Sequence, residues 1–400
     1  MNSIADASVT DPIGFSAGAV HAGIKKDGKS LDICILMSER PATAAGTFTR
    51  NKVRAAPVRL SEERLRSGRC QAIVVNSGNA NACTGERGVA NAQRMTELTA
   101  AKLRIAIGDV IVASTGVIGV HLPMEKVDSG IGAISLNAMS GHEAARAIMT
   151  TDTRSKEAGC RIVIDGKTVT ICGMAKGSGM IHPDMATTLA FITTDAAVSP
   201  TFLRRALSEA TNSSFNQMTV DGDTSTNDCL IVLANGMAGN RAIDGSSADA
   251  ATFQSALTWV AAELAKAVAR DGEGATKFIE VIVEGAASVD DARRAAKSVV
   301  SSSLVKTAVY GADPNWGRVL CALGYSGAEM DERRVDLRIG DVRLMEAGEI
   351  LEFDHKMAVA ALSQPEIQIY ANLNTGNARG VAWGCDLTEG YIEINGKYTT

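Results

Sequence analysis

Apolar positions along this chain follow two spacings. Short runs bounded by Gly, Asp and Asn predict strands at residues 31–36, 71–75, 109–113, 189–194, 229–233, 278–284 and 366–372. A three-to-four spacing predicts helices between them. The strongest spans 250–269, with Phe253, Leu257, Val260, Leu264 and Val268 on one face. Residues 86–104 carry the same pattern in Val89, Met95, Leu98 and Leu103, and 142–149 and 288–308 also read as helical. Ser199 and Pro200 mark the cap and first turn of a helix that runs to about residue 210. Residues 14–60 predict strands joined by turns. Asp165-Gly166 and Gly340-Asp341 predict the turns of two hairpins, at 161–171 and 333–343. The tail from Trp383 to Thr400 reads as ordered strand to nearly its last residue, which suggests that it belongs to a site. Strands and helices mixed with hairpins indicate an α+β fold. No repeat and no flexible linker divides the chain.

Composition narrows the classes. Apolar residues make up 46% and charged residues 21%, the balance of a globular protein with a large core. The net charge of −5 and the lack of a basic cluster interleaved with aromatics argue against nucleic acid as a partner. No apolar run is long enough to span a membrane, and residues 1–18 carry no signal-peptide pattern, so a cytoplasmic protein is expected. The eight cysteines form no C-x-x-C pair and the five histidines are scattered, so no metal and no cofactor site is read.

Candidate chemistry gathers at Lys176-Gly177-Ser178-Gly179-Met180-Ile181-His182-Pro183-Asp184-Met185-Ala186-Thr187-Thr188. A hydroxyl residue directly after a glycine-rich loop is what a self-cleaving peptide bond needs. The hydroxyl attacks the preceding carbonyl, an ester forms, and water frees a new N-terminal threonine whose α-amine, with an ordinary pKa of about 7.7–8.0, lies beside its hydroxyl. Read alone, the loop is an ordinary surface turn into a strand. Residues 76–82 and Ser114-Thr115-Gly116 are small polar strand exits, and the second offers a hydroxyl and a flexible N–H for an oxyanion. Residues 220–228, rich in acidic and hydroxyl groups, lack the spacing of a calcium loop and read as structural or site-lining. Glu273 stands between two glycines at a helix-to-strand turn. Gly23–Ser30 matches the phosphate-loop pattern G-x-x-x-x-G-K-[ST], which would make the chain a nucleotide-binding protein, but strand-like residues follow it where a helix is required.

Taken together, the 76–82 loop, Ser114–Gly116, the 176–187 run, 270–277, 313–318 and the 383–400 tail resemble the glutamate N-acetyltransferase/ornithine acetyltransferase family over nearly the whole chain. The resemblance implies a layered α/β/β/α sandwich of mixed sheets and an enzyme of arginine biosynthesis. That enzyme moves acetyl from N2-acetylornithine to glutamate, and some members also take it from acetyl-CoA. It implies self-cleavage between Ala186 and Thr187 into an α chain, 1–186, and a β chain, 187–400, which assemble as an α2β2 heterotetramer. Thr187 is then the nucleophile, Thr115 and Gly116 the oxyanion hole, and Thr150, Lys176, Thr187, Glu273, Asn395 and Thr400 the substrate-binding residues. A covalent acetyl-threonine implies ping-pong kinetics. Asp184 and Thr188 depart from the residues usual in the family, and Thr188 supplies a second hydroxyl beside the expected one. The rival reading is a self-processing amidase or aminopeptidase, which shares the nucleophile and delivers the acyl group to water.

Overall fold

The computed structural model describes residues 1–182 and 188–397. Among these, a nine-stranded mixed sheet runs in the order Asn2–Ser3, Lys156–Ile164, Lys167–Lys176, Leu189–Thr194, Cys229–Ala234, Ile33–Phe48, Arg69–Asn76 and Val110–Ser114, with Phe15–Val20 pairing beside Ile33–Phe48. The 16-residue strand Ile33–Phe48 serves two sets of neighbours. Its first part pairs with Phe15–Val20 and Arg69–Asn76 and its last part with Cys229–Ala234, with a register shift between Met37 and Ala42. The sheet doubles over along this strand. Lys176 ends and Thr115 follows strands five places apart in the sheet, about 24 Å if it were flat, yet Lys176 Nζ is 3.3 Å from Thr115 Oγ1.

Side-chain alternation describes the layers. Leu36, Ile73, Val75, Ile111, Phe191, Ile231 and Leu233 fill the space between the two halves of the doubled sheet. Their neighbours Ala190, Ile192, Leu230 and Val232 face outward beneath helices Pro200–Asn212 and Ala250–Arg270. On the other side Ile33, Ile35, Val74 and Val112 lie beneath Gly85–Leu103 and Met124–Ala133. These strands bury both faces, which is why they read in the sequence as unbroken apolar runs. The α/β/β/α sandwich and the α+β class expected from the sequence are therefore present. A second, six-stranded sheet, ordered Glu349–Ile350, Val342–Glu346, Asp336–Ile339, Glu366–Asn372, Phe278–Ala286 and Ala378–Cys385, is covered by Val289–Ser301 and has its own core. Its last strand delivers the tail.

Four expectations change. The helix at 288–308 is two helices, Val289–Ser301 and Ser303–Tyr310, because Ser302 is extended and its Oγ accepts the Val305 N–H at 3.3 Å, capping the second. The tail is a helix, Glu389–Lys397, not a strand: after Cys385 the Asp386 carboxylate accepts the N–H groups of Thr276 and Lys277, and the chain leaves the sheet. Helix Ala56–Leu65 begins inside the stretch 14–60 that predicts strands joined by turns, and helix Trp316–Gly324 adds an element for which no expectation was drawn. Val89, expected on a buried face, is half exposed. The phosphate-loop match also fails. Gly23–Ser30 joins two antiparallel strands, and the Asp32 carboxylate accepts the N–H groups of Ala22 at 2.6 Å, Ile24 at 2.6 Å and Lys25 at 3.1 Å, so an acid already occupies the donors a phosphate would need.

The doubled sheet depends on the core between its halves. Phe191 is fully buried there. Phe191→Ala is expected to cost about 3–5 kcal/mol, read as a fall in the midpoint of a urea unfolding curve with an unchanged slope.

Candidate active site

Six residues predicted from separate motifs border one cavity: Thr115, Gly116, Thr150, Lys176, Glu273 and Asn395. Each arrives from a different part of the fold. Thr115 and Gly116 follow strand Val110–Ser114, Lys176 ends strand Lys167–Lys176, Glu273 follows helix Ala250–Arg270, and Asn395 lies on the tail helix. Thr188 also borders the cavity. Ala186, Thr187 and Thr400 lie outside the described residues, as does Asp184. The cavity has further walls that the sequence reading did not name as site residues: Tyr391, Asp221 and Asp228. The last two sit in the acidic and hydroxyl-rich stretch read as structural or site-lining, and they do both.

Lys176 is the central cation. It is 8% exposed, and its ammonium donates to Thr150 Oγ1 at 2.6 Å and to Thr115 Oγ1 at 3.3 Å. Burial draws its pKa below the ordinary lysine range, and the Asp152, Asp228 and Glu273 carboxyls oppose that pull. Across the cavity the Glu273 carboxylate accepts a hydrogen bond from Asn395 Nδ2 at 2.8 Å. Gly179 makes room for that carboxylate, since a Cβ there would sit 2.6 Å from Glu273 Oε1. Gly116 has φ +127°, and a Cβ would lie 2.5 Å from the Asn79 nitrogen, so only glycine fits this turn against the 76–82 loop.

Two side chains fix the turns around these groups. Asn227 Nδ2 donates to Ala80 O at 2.6 Å and to Ser114 O at 2.8 Å, tying the two polar strand exits together directly ahead of Thr115. Asp221 accepts the N–H groups of Met180 at 2.6 Å and Ile181 at 2.8 Å, and Met180 takes a left-handed φ of 56°. Asp221 thus spends its carboxylate on the glycine-rich loop. Burial and the nearby Asp221 carboxylate raise the pKa of Tyr391, so its phenol stays protonated.

A buried ion cluster underlies both walls. Lys156, 1% exposed, donates at 2.6 Å to Asp152 and at 2.6 Å to Asp271. Asp152 also accepts the N–H of Thr150 at 2.9 Å and of Gly177 at 2.6 Å, the residues at and beside the Lys176 wall. Asp271 accepts from the Thr153 N–H and hydroxyl and stands two residues before Glu273. Burial works to raise the Asp152 pKa, but the Lys176 and Lys156 cations and its hydrogen bonds hold it down at about 2. The chemistry available here is that of a cation bonded to two hydroxyls, one of them at a strand exit, and of a carboxylate bonded to an amide, all bordering one cavity.

Comparison with known proteins agrees in extent. A model of the ArgJ family matches residues 16–400. The arginine biosynthesis bifunctional protein ArgJ of Symbiobacterium thermophilum is 55% identical over 395 residues, which make up 98% of each chain. Its counterpart in Dehalococcoides mccartyi is 53% identical over 396 residues, 99% of this chain and 98% of that one. A crystal structure of the protein of that name from Bacillus halodurans superposes with a TM-score of 0.50 at 48% identity, covering 52% of this chain and 97% of the solved one.

Lys156 is the group whose removal tests the frame of the site. Lys156→Met leaves two buried carboxylates without their cation and is expected to cost about 3–5 kcal/mol, measured by urea unfolding.

Proposed function

The chain belongs to the ArgJ family, and on that premise we propose that it moves an acetyl group from N2-acetylornithine to glutamate through an acetyl-threonine formed on Thr187. The observation that carries this reading is the convergence of Thr115, Gly116, Thr150, Lys176, Glu273 and Asn395 on one cavity that Thr188, next in sequence to Thr187, also borders. The names of the relatives place them in arginine biosynthesis as bifunctional proteins, so acetyl-CoA is the second donor we assign. The chain cleaves itself between Ala186 and Thr187. The Bacillus halodurans chain supports this, because nearly its whole length matches only 52% of this one, a polypeptide about half as long. The two halves pair and assemble as an α2β2 heterotetramer in the cytoplasm.

The groups around the cavity support the following roles. Thr187 Oγ attacks the acetyl carbonyl, its own α-amine taking the hydroxyl proton. The oxyanion that develops is met by the Thr115 hydroxyl and the Gly116 N–H, each such donor lowering the barrier by about 2.7–4 kcal/mol. Lys176, which donates to Thr115 and Thr150, polarises those hydroxyls toward the oxyanion and the substrate and offers its remaining N–H to the α-carboxylate. Glu273, held by Asn395, faces the ornithine ammonium. Ornithine leaves, glutamate enters, and its amine takes the acetyl group.

Purified protein mixed with N2-acetylornithine and glutamate is expected to give ornithine and N-acetylglutamate with parallel double-reciprocal lines. Its mass spectrum under denaturing conditions should show two pieces. Scaling 41.7 kDa by 186/400 and 214/400 gives roughly 19 and 22 kDa, the larger beginning Thr-Thr-Leu-Ala. Thr187→Ala should leave a full-length, inactive chain. Acetyl release to water at the same rate without glutamate would instead make the chain an amidase. Glu273→Gln should lower kcat/KM for acetylornithine at least about tenfold, a loss of about 1.4 kcal/mol, while changing glutamate use much less. Equal losses for both substrates would remove Glu273 from the ammonium-binding role.

A further inference from the structure

The tail helix Glu389–Lys397 brings Tyr391 and Asn395 to the cavity, yet none of its residues is buried. Its apolar residues Ile392 and Ile394 are exposed. A helix in a folded protein is ordinarily held by burying an apolar face. This one has no such face, so directed contacts set where it lies.

Those contacts gather at the turn that carries Glu273. The buried Thr388 hydroxyl, at the residue just ahead of the helix, donates to Gly274 O at 2.7 Å. Gly274 has φ +69°, and a Cβ there would collide with Gly390 and with the Tyr391 nitrogen, so the helix start lies directly on the backbone of the turn. At the other end of the helix Asn395 Nδ2 donates to the Glu273 carboxylate at 2.8 Å and to Tyr391 O at 3.1 Å. Thr388, Tyr391 and Asn395 follow the spacing i, i+3, i+7, which puts them on one helix face. That face is therefore pinned twice to two consecutive residues, Glu273 and Gly274.

The strand before the helix is anchored separately. The Asp386 carboxylate accepts the N–H groups of Thr276 at 2.8 Å and Lys277 at 2.9 Å, and the buried Lys306 ammonium donates to Cys385 O. These bonds fix where the sheet ends. The direction the chain takes after Asp386 depends on the next tie along it, and that tie is the Thr388 hydroxyl.

We propose that Thr388 is a positioning residue for substrate binding: its hydroxyl pins the start of the tail helix to Gly274 and so sets Asn395 against Glu273 in the orientation that the acetylated amino acid meets. The proposal rests on the reading that Glu273 and Asn395 hold N2-acetylornithine. Without the pin the helix pivots about its remaining contacts, and the Glu273 carboxylate loses its fixed partner. Thr115, Gly116 and Lys176 reach the cavity from other strands and stay in place. Binding weakens while the chemical step is kept.

The test uses the full chain and Thr388→Val, which has nearly the same shape without the donor. Its KM for acetylornithine should rise about two- to tenfold, the range for one neutral hydrogen bond, with kcat unchanged. Hydrogen–deuterium exchange across residues 389–397 should quicken, with no change in the midpoint of urea unfolding. Thr388→Ser, which keeps the hydroxyl, should return both KM and exchange to the wild-type values. Wild-type KM in Thr388→Val would overturn the proposal, as would a fall in kcat at constant KM, the mark of a protein that has merely lost folded molecules. A wild-type chain that does not turn over acetylornithine would overturn the reading beneath the proposal. In that case exchange alone decides the pin: faster exchange in Thr388→Val upholds it, and unchanged exchange removes it.

Discussion

One lysine buried between two aspartates sets the frame on which the site depends. Lys156 draws Asp152 and Asp271 to within 2.6 Å of the same nitrogen. Asp152 orders the backbone at Thr150 and Gly177, and Asp271 leads the turn that carries Glu273. The separation between the cavity's cationic wall and its acidic wall is therefore fixed by a single ammonium. Burying an ion cluster costs desolvation that apolar packing would not. What this cluster supplies in return is distance and orientation. The hydrogen bonds from Thr150, Thr153 and Gly177 satisfy the remaining carboxylate oxygens, the condition under which such a cluster holds together.

The doubled sheet explains how remote segments reach this frame. Strand ends that would be far apart in a flat sheet face one another across the core that side chains from both halves fill. Thr115 and Lys176 meet because Ile33–Phe48 bends between its two sets of partners. Asn227 then secures the crossing by bonding to both polar strand exits at once. Among the described residues, the second sheet contributes to the cavity the tail helix that brings Tyr391 and Asn395.

Much of this was legible in the sequence, and the exceptions have physical causes. Strands buried on both faces announce themselves as apolar runs, and the long helix Ala250–Arg270 shows its stripe plainly. The Asp165-Gly166 turn appears as expected, with both residues at positive φ. The site residues could be named because glycines, hydroxyls and charges cluster in the stretches that carry them. The tail helix could not be, since whether Tyr391-Ile392-Glu393-Ile394 becomes strand or helix depends on whether a sheet edge is there to receive it, and Asp386 turns the chain away. Lys156, Asp152 and Asp271 were invisible for a similar reason. A buried ion cluster whose third member, Asp271, lies more than a hundred positions from the other two leaves no local pattern.

The sheet order also bears on how the protein ages. Strand Lys167–Lys176 lies before the expected break and its second part is paired with Leu189–Thr194 beyond it, and the last part of Ile33–Phe48 is paired in the same way with Cys229–Ala234. On the proposed cleavage the two polypeptides would be woven into one sheet and could not part without unfolding. The folded state would be reached by one continuous chain that then loses the connection that guided it there. Refolding would become a meeting of two molecules, slower in dilute solution and open to aggregation at every unpaired strand edge. The lifetime of such a cleaved protein is set by the barrier to unfolding and not by an equilibrium it can return to.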